Sequence, residues 1–361
     1  MSQKMSQEKI RIGIAGATGY TGNLLARLLL NHPEAEIKAL YSSKHIGKKL
    51  ESLDPYFLGF DLPLMSSLEE DLQNNKIAGD IDCLFTATPN GMASDLLNSS
   101  SLGKLLLDGK LKLIDLAADF RLKDKNIFED YYSPLKIIGD EYLNISAYGL
   151  TEHNRDKIKK AQIVANPGCY PTASALPIIP LLKANLIDNS LCIVDAKSGV
   201  SGAGKKAEES LLFSEITESF SAYKIDKHRH TPEIEQSLSL FAGQNLTIKF
   251  TPHLVPMKRG ILATVYLKPS KSESINSTFG KVIQSCLLEE YSNEQFIHVV
   301  SEPPKTKDVY GTNRCHIYPY FDQRSGLIVL VSAIDNLMKG ASGQALQNFN
   351  LLFGFEEKLG F

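Results

Sequence analysis

The sequence predicts a two-domain protein in which an α/β domain with a parallel sheet is followed by an α+β domain with a mostly antiparallel sheet. Three observations support this prediction. The chain has 361 residues, which is too long for one ordinary hydrophobic core. Up to Asn166, short apolar runs alternate with helical patterns, as in parallel sheets with helical crossovers. After Asn166, several strand-like runs are joined by hairpin-length turns.

The first domain is predicted from apolar runs that end in small or polar residues. The run over residues 10–14 leads into a glycine-rich turn and then into an amphipathic helix over residues 23–31. Further buried strands are predicted over residues 37–41, 81–86, 113–116 and 163–165. Their alternation with helices indicates that the strands lie parallel in one sheet.

The second domain is predicted from strand-like runs, helical runs and a hairpin turn over residues 322–326. Strands are predicted over residues 191–196, 246–251, 261–267, 296–300, 314–320 and 327–334. Helices are predicted over residues 171–184, 232–241 and 275–291. A last helix over residues 340–353 is rich in small residues, which allow close backbone contact, and we expect it to pack on the first domain. The predicted domains are therefore residues 1–166 with 335–361, and residues 167–334.

The composition excludes several classes of protein. The chain is 43% hydrophobic and 22% charged, and its formal net charge of −2 provides no basic field for nucleic acid. The first nine residues lack the apolar core of a secretory signal, and no later apolar stretch is long enough to span a bilayer. The five cysteines are scattered, which argues against a disulfide framework and a zinc site. We expect a cytoplasmic protein with no membrane or nucleic-acid partner and no metal.

A glycine-rich turn lies between the first predicted strand and helix. Glycine lacks the Cβ atom that would block a pyrophosphate at a helix N-terminus. The spacing is GxxGxxG instead of the commoner GxGxxG. We interpret the turn as a dinucleotide-binding site, and the alternative is a tight turn with packing glycines. The predicted cofactor contacts are Gly16, Thr18, Gly19, Tyr20, Thr21 and Gly22.

The end of the second predicted strand indicates which dinucleotide binds. NAD enzymes usually place an Asp or Glu there for the adenosine ribose. Residues 41–44 read Tyr-Ser-Ser-Lys and contain no carboxylate. The hydroxyls of Ser42 and Ser43 and the cation of Lys44 suit a 2′-phosphate, so NADP is favoured over NAD. The alternative is a solvated polar loop.

One cysteine has a position typical of a nucleophile. Cys169 follows a predicted strand and the turn formed by Pro167 and Gly168, and Pro171 suits the first turn of a helix. A helix N-terminus favours a thiolate and lowers the pKa of a thiol from about 8.5. The other four cysteines lie in apolar patterns and are interpreted as core or rim residues. We therefore predict that Cys169 is the catalytic nucleophile.

Residues 228–233, which read His-Arg-His-Thr-Pro-Glu, form the densest polar cluster of the second half. Thr231 is expected as a helix N-cap and Pro232 as the first helical residue, which places His230 just before the helix. A histidine in this position is suited to proton transfer at neutral pH. We favour His230 as the acid/base and retain His228 as the alternative and as a substrate-binding candidate.

Two further segments contain binding candidates. Residues 198–205 are rich in Gly and Ser, and we expect Ser198 and Gly199 to contact a phosphate or nicotinamide in a flexible loop. The alternative is a mobile surface loop. Arg121 is suited to clamp an acidic substrate group through two hydrogen bonds. The alternative for Arg121 is an ion pair with Asp119.

These segments together resemble those of the N-acetyl-γ-glutamyl-phosphate reductases, a family of arginine biosynthesis, over essentially the whole chain. The matching segments are residues 16–22, 118–122, 166–172, 198–204, 228–233, 253–257 with 259–260, 311–313, and 335–337 with 339–340. Eight matches in the same order are highly specific. Two features depart from the family. Pro177 is expected to kink or shorten the helix after Cys169, and residues 50–75 match no recognisable segment of the family.

The resemblance implies a Rossmann domain completed by the C-terminal helix, with NADPH as cofactor and an inserted domain that catalyses and oligomerises. It implies reduction of an acyl phosphate through a thioester on Cys169, with His230 as acid/base and Arg121 on the substrate. It places residues 198–204 and Asn336 near the nicotinamide, and it suggests a homodimer or homotetramer. The alternatives are reductases that form aspartate semialdehyde or act on an amino-adipyl phosphate, and a non-catalytic NADP sensor.

Overall fold

The computed structural model describes residues 8–99, 101–270 and 278–361, which form two compact units. The second unit comprises Asp130–Tyr132 and Pro167–Ala341, and the first unit comprises the remainder. Residues 335–341, predicted with the first domain, belong to the second unit. The reason is that Asp335 pairs with Arg259 at 2.9 Å and Asn336 accepts the amide of Gly260 at 2.7 Å.

In the described part of the chain, the first unit contains a sheet of six parallel strands. These are β1 Ile10–Ala15, β2 Ala35–Tyr41, β3 Cys83–Thr86, β4 Lys112–Asp115, β5 Ser146–Tyr148 and β6 Ile163–Ala165. The strand order is β2-β1-β3-β4-β6-β5, so the chain changes direction across the sheet at β1. The carboxyl ends of strands at such a point form the usual ligand crevice of α/β sheets. The predicted parallel sheet is confirmed, and β5 is an additional strand.

Helices alternate with these strands and bury their apolar faces. They are α1 Tyr20–Leu30, α2 Leu68–Gln73, α3 Met92–Ser99, α4 Leu102–Leu107, α5 Lys125–Tyr132, α6 Asp140–Asn144 and α7 Thr151–Lys160. Leu25 and Leu29 of α1 pack in the same core as Ile12 and Ile14 of β1. α1 begins three residues before the predicted start, because the chain enters the helix directly from the glycine turn.

The second unit contains a mixed sheet with seven strands among the described residues. These are β7 Ile187–Gly199, β8 Ser221–Ala222, β9 Lys249–Val255, β10 Ile261–Pro269, β11 Ile297–Val299, β12 Cys315–Asp322 and β13 Leu327–Ile334. The order is β11-β12-β13-β10-β7-β9-β8. Only the β7–β9 and β11–β12 pairs are parallel in this sheet of the described chain. The predicted mostly antiparallel sheet is therefore confirmed, and β8 is an additional short strand.

The helices of the second unit are α8 Cys169–Lys183, α9 Phe213–Ile216, α10 Thr231–Ala242 and α11 Phe279–Glu290. α10 begins one residue earlier than predicted, so His230 is the N-cap and Thr231 is the first helical residue. Residues 275–277 of the predicted helix over 275–291 lie outside the described residues. The expected hairpin over residues 322–326 is present, with the amide of Gly326 bonded to the carbonyl of Asp322 at 2.8 Å.

α8 continues through two prolines to Lys183, so the expected shortening at Pro177 is wrong. A proline lacks the N–H that would bond to the carbonyl four residues earlier. For Pro177 that carbonyl belongs to Ala173, and it accepts the hydroxyl of Ser332 at 2.5 Å. For Pro180 the equivalent carbonyl, of Leu176, accepts the hydroxyl of Tyr291 at 2.5 Å. Both freed carbonyls are therefore satisfied by side chains from distant parts of the chain.

The chain returns to the first unit through its C-terminal segment. A π-helix over Met338–Ser342 precedes α12 Gly343–Leu352, where one continuous helix is predicted. The α12 residue Asn348 donates to the side-chain oxygen of Asn166 at 3.0 Å and accepts from the hydroxyl of Thr151 at 2.7 Å. α12 is therefore connected to the residue that follows β6 and to the first residue of α7 through buried hydrogen bonds.

Across the described ranges, none of the helices is both long and apolar enough to cross a membrane.

Candidate active site

Cys169 is the first residue of α8, and its side chain is partly exposed. Gly168 occupies the N-cap in an extended conformation, with φ of −66° and ψ of 155°. The first N–H groups of an α-helix have no acceptor within the helix, so they present partial positive charge at its start. The predicted position of Cys169 at a helix N-terminus is therefore confirmed.

The other four cysteines differ from Cys169 in their surroundings. Cys83, Cys192 and Cys315 are buried. Burial raises the pKa of Cys192 to about 12 and the pKa of Cys286 to about 11. Burial also raises the pKa of Cys83 well above its usual range. Thiols of this kind stay protonated at neutral pH and are poor nucleophiles.

The backbone around Cys169 is held on several sides. The amide of Gly168 donates to Oε1 of Glu233 at 2.8 Å, and Glu233 is only 1% exposed. The carbonyl of Gly168 accepts both the N–H and the hydroxyl of Thr172, each at 3.0 Å. A Cβ atom on Gly340 would lie 2.7 Å from Cβ of Cys169. The turn that carries the thiol therefore has little room to move.

Glu233 and Gly340 are absent from the predicted site because both act across a large sequence separation. Gly168 and Glu233 are 65 residues apart. Glu233 lies three residues after the observed N-cap, His230, where a glutamate usually closes a local capping box. With Thr231 as the predicted N-cap, the sequence gives no such signal. Gly340 lies in a π-helical turn, and such turns occur frequently at functional sites.

Tyr170 places both predicted histidines beside the helix that begins at Cys169. Its ring makes edge-to-face contacts with the rings of His228 and His230, at 5.8 Å between centroids in each case. The two imidazoles lie 5.0 Å apart. The hydroxyl of Tyr223 donates to the hydroxyl of Tyr170 at 3.3 Å. The structure thus places both candidate acid/bases against Tyr170, the residue that follows the predicted nucleophile.

The two histidines differ in their surroundings. His228 is buried, and its Nδ1 accepts the backbone N–H of His230 at 3.0 Å, so that nitrogen carries no proton. Burial, followed by the charges of Lys224 and Arg229, lowers the pKa of His228 to about 4. His230 is the N-cap of α10 and is partly exposed. This contrast favours His230 as the proton carrier, and a substrate contact through His228 stays a prediction.

The Gly/Ser-rich segment and Asn336 meet in the second unit. Ser198 and Gly199 are the last residues of β7, and a 3-10 helix over Val200–Ala203 follows them. Asn336 is 2% exposed, and its Nδ2 donates to Oγ of Ser201 at 2.9 Å. The first half of the segment is therefore fixed by hydrogen bonds. Its contact with a nicotinamide, and that of Asn336, stay predictions.

The glycine turn after β1 has close backbone contacts at two of its three glycines. Gly16 has a φ of +82°, and a Cβ atom there would overlap the backbone of Ala87. A Cβ atom on Gly22 would overlap the carbonyl of Gly16, so glycine is needed for α1 to pack on the turn. Among the described residues, a Cβ atom on Gly19 would meet one atom, the Gly16 oxygen at 3.4 Å. The open side at Gly19 leads to the first turn of α1, which contains Tyr20 and Thr21.

The predicted adenosine contacts lie at the same edge of the first sheet as the glycine turn. β1 and β2 are neighbouring parallel strands, and the amide of Gly16 donates to the carbonyl of Tyr41 at 3.0 Å. Ser42 is half-buried and Ser43 is exposed directly after β2. Both serines therefore follow the strand next to the turn, and their contact with an adenosine phosphate stays a prediction.

Arg121 lies in the first unit and is only 7% exposed. Its Nε donates to the carbonyl of Asn166 at 2.8 Å, and its Nη2 donates to the carbonyl of Leu116 at 2.7 Å. Both carbonyls follow the carboxyl ends of strands of the parallel sheet. The carboxylate of Asp119 accepts the amide of Gly91 at 2.9 Å. Arg121 is thus anchored at the ligand edge of this sheet, and its contact with substrate stays a prediction.

Within the described residues, the His, Cys, Asp and Glu side chains form no group of three or more that suits a metal ion.

Two sequence families match most of the chain. Residues 11–161 match the family described as semialdehyde dehydrogenase, NAD binding domain, and residues 169–336 match semialdehyde dehydrogenase, dimerisation domain. A protein of Desulforudis audaxviator named N-acetyl-gamma-glutamyl-phosphate reductase is 44% identical over 354 residues, which cover 97% of each chain. The probable N-acetyl-gamma-glutamyl-phosphate reductase, chloroplastic, of Arabidopsis thaliana is 42% identical, over 99% of this chain and 86% of its own length.

Solved structures have the same fold at low identity. Aspartate semialdehyde dehydrogenase II from Vibrio cholerae, complexed with ASA, is 16% identical, with a TM-score of 0.69 over 96% of this chain and 99% of that chain. Aspartate semialdehyde dehydrogenase with NADP from Candida albicans is 16% identical, with a TM-score of 0.65 over 96% and 99%. At this identity the likeness concerns the fold alone.

Proposed function

The chain belongs to the N-acetyl-γ-glutamyl-phosphate reductase family of oxidoreductases, and we propose that it reduces N-acetyl-γ-glutamyl phosphate to N-acetylglutamate 5-semialdehyde with release of phosphate. The observation that carries the proposal is the cluster at the start of α8. There a partly exposed Cys169 begins the helix, and Tyr170 packs against His230. This combination of a thiol and an imidazole suits covalent acyl transfer.

The covalent step is assigned to Cys169. Its sulfur attacks the acyl carbon of the substrate, the C–O bond to phosphate breaks, and a thioester remains on the enzyme. A thiolate suits this step because it is a strong nucleophile and a thioester accepts hydride readily. The N–H groups in the first turn of α8 favour negative charge on the sulfur and on the acyl oxygen.

The glycine turn fits a nicotinamide dinucleotide. Gly16 and Gly22 allow close backbone packing, and the open side at Gly19 leaves space for a pyrophosphate at the start of α1. Ser42 and Ser43 stand where a carboxylate would select NAD, so the proposed cofactor is NADP. Bound NADPH supplies the hydride that the thioester accepts.

His230 is assigned the proton transfers of the reaction. It takes the proton of the Cys169 thiol before attack and donates it to the oxygen of the adduct that forms when the thioester is reduced. It takes the proton back as this thiohemiacetal collapses to aldehyde and thiolate. His230 is suited to this role because it is partly exposed, whereas His228 is buried and stays neutral. Arg121 is proposed to bind the substrate carboxylate or phosphate.

The test is an assay in the reverse direction with the purified full-length protein. We expect N-acetylglutamate 5-semialdehyde and phosphate together to drive NADP reduction, with much lower rates for aspartate semialdehyde and for NAD. Cys169→Ser should lose at least about 1,000-fold in kcat, since a hydroxyl is far less nucleophilic than a thiol. Cys286→Ser is the matched control and should retain activity. Normal turnover by Cys169→Ser would refute the covalent mechanism.

The second sheet supports assembly into a homodimer, alone or within a homotetramer. Residues on one side of its strands, such as Val265 and Leu330, are 0% exposed and face the layer that includes α8. Side chains on the other side are only half-buried and form two neighbouring apolar groups across the strands, Ile193 with Tyr266 and Val329, and Val331 with Tyr318. We propose that this face packs on the same face of a second copy, in agreement with the matched dimerisation domain.

A further inference from the structure

The first turn of α10 departs from ordinary helix capping. His230 is the N-cap, and Glu233 occupies the third helical position. A glutamate at this position usually accepts the backbone N–H of its own N-cap residue. Here the N–H of His230 donates to Nδ1 of His228 at 3.0 Å, while the Glu233 carboxylate accepts the N–H of Gly168 at 2.8 Å. The local cap is thus provided by His228, and Glu233 is used for a tertiary contact.

The tertiary contact reaches the residue that precedes the nucleophile. Gly168 is the N-cap of α8 and is joined directly to Cys169. Its N–H is held by Glu233, and its carbonyl is held twice by Thr172. Because Glu233 is 1% exposed, loss of its oxygen would leave the N–H of Gly168 without a partner in a buried place.

The surroundings of His228 keep its Nδ1 unprotonated, so that this atom accepts the N–H of His230. Edge-to-face contacts with Tyr170, Tyr223 and Phe250 enclose its ring. Burial and the cations of Lys224 and Arg229 lower its pKa to about 4. A protonated Nδ1 would face the His230 amide with a second donor, so the neutral ring is the form that keeps this contact.

We propose that His228 and Glu233 are positioning residues, which act as a relay of two acceptors that fixes the turn carrying His230 against the turn carrying Cys169. Neither residue carries a proton in the reaction. The inference rests on the proposed function, in which Cys169 is the nucleophile and His230 is the proton carrier. It predicts that the acceptor atom at each position determines kcat and that the rest of the side chain has little effect on kcat.

The first experiment compares Glu233→Gln with Glu233→Ala in the full-length protein. Gln keeps a carbonyl oxygen for the Gly168 amide, and we expect its kcat within about threefold of the original. Ala removes the acceptor, and we expect kcat to fall on the order of 10- to 100-fold with KM nearly unchanged, as for a misplaced catalytic group. A kcat within twofold of the original for Ala would overturn the inference, as would an equal loss in both variants at unchanged Tm.

The second experiment uses His228 and remains decisive if Glu233→Ala fails to fold. In His228→Asn the side-chain oxygen takes the place of Nδ1, whereas His228→Leu has no acceptor. We expect Asn to retain kcat within about threefold and Leu to lose on the order of 10-fold or more. The acid limb of the kcat/KM profile against pH should be unchanged in His228→Asn and lost in His230→Asn. Loss of the limb in His228→Asn would make His228 a proton carrier and overturn the inference.

These outcomes are separable from failure of the proposed function. If Cys169→Ser kept its activity, the covalent mechanism would fail whatever the His228 and Glu233 variants showed. If Cys169→Ser and His230→Asn were both inactive while Glu233→Ala and His228→Leu turned over normally, only the positioning relay would fail.

Discussion

At the scale of single residues, Cys169 is set apart from the other thiols by its surroundings. Burial raises the pKa of Cys192 to about 12 and that of Cys286 to about 11. At pH 8 these values leave roughly 1 in 10,000 and 1 in 1,000 of the respective thiols ionised. Cys169 begins a helix, where free backbone N–H groups favour a thiolate, so iodoacetamide should modify it far faster than either.

Peptide mapping by mass spectrometry after brief labelling at pH 8 measures this selectivity. Cys169→Ala should remove the fast phase and leave only slow labelling. Comparable early labelling of the Cys286 peptide would contradict the assignment of Cys169 as the reactive thiol.

Gly340 is a second residue whose role depends on a close contact. A Cβ atom there would lie 2.7 Å from Cβ of Cys169, so Gly340→Ala must displace the nucleophile or the π-helical turn. We expect a loss of kcat on the order of 10- to 100-fold, measured in the semialdehyde assay. Gly280→Ala is the control, because its Cβ atom would have an ordinary contact of 3.6 Å with Phe321. Full activity of Gly340→Ala would show that the contact relaxes without moving the thiol.

The sequence predicts residues whose role follows from local structure. Cys169 was identifiable because a strand, a Pro-Gly turn and a helix start are local patterns, and Gly16 because its turn joins β1 to α1. Glu233 was not identifiable as a partner of Gly168, because their contact joins positions 65 residues apart. The neutral state of His228 likewise depends on burial, which a single sequence does not reveal.

At the scale of elements, α8 shows how a helix accommodates two prolines. The carbonyl of Ala173 is freed by Pro177 and bound by the buried hydroxyl of Ser332 at 2.5 Å. Ser332→Ala removes this donor, and we expect the free energy of unfolding to fall by about 1–3 kcal/mol. Urea denaturation of the two proteins measures the difference.

Two further variants test the cause of this loss. Pro177→Ala restores an N–H that can bond to Ala173, so Ser332→Ala should cost about 1 kcal/mol less in that background. Ser174→Ala is the matched control in the same helix: its hydroxyl also bonds to a carbonyl, that of Tyr170 at 2.7 Å, but this carbonyl keeps its helical donor. Equal costs for Ser332→Ala in both backgrounds would disprove the link to Pro177.

The elements with strong local patterns are also those that the sequence predicts well. β1, β10 and β13 follow uninterrupted apolar or alternating runs and lie close to their predicted bounds. β5 and β8 read Ser-Ala-Tyr and Ser-Ala, which form neither an apolar run like that of β6 nor a recognisable period. The sequence does not predict the uninterrupted course of α8, because the donors that replace its missing amides lie 159 and 115 residues away along the chain.

At the scale of the whole molecule, the order of strands and helices carries most of the architectural information. Alternation up to Asn166 gives the parallel sheet, and the hairpins after it give the mixed sheet. The passage back to the first unit occurs at residue 342 instead of 335, because Asp335 is fixed in the second unit by Arg259 and the amide of Gly311. These side-chain contacts lie outside any local pattern.

The half-buried face of the second sheet leads to a prediction about assembly. Val331 lies in this face, opposite Tyr318 on β12 and Thr264 on β10. Val331→Glu would place a carboxylate in the proposed contact. A dimer with twofold symmetry contains this site twice, so two carboxylates would be desolvated close to each other. We expect light scattering after size-exclusion chromatography to show a subassembly of lower mass. Lys159→Glu on the exposed side of α7 is the control and should leave the mass unchanged. An unaltered mass for Val331→Glu, with the fold intact by circular dichroism, would place the dimer contact on another surface.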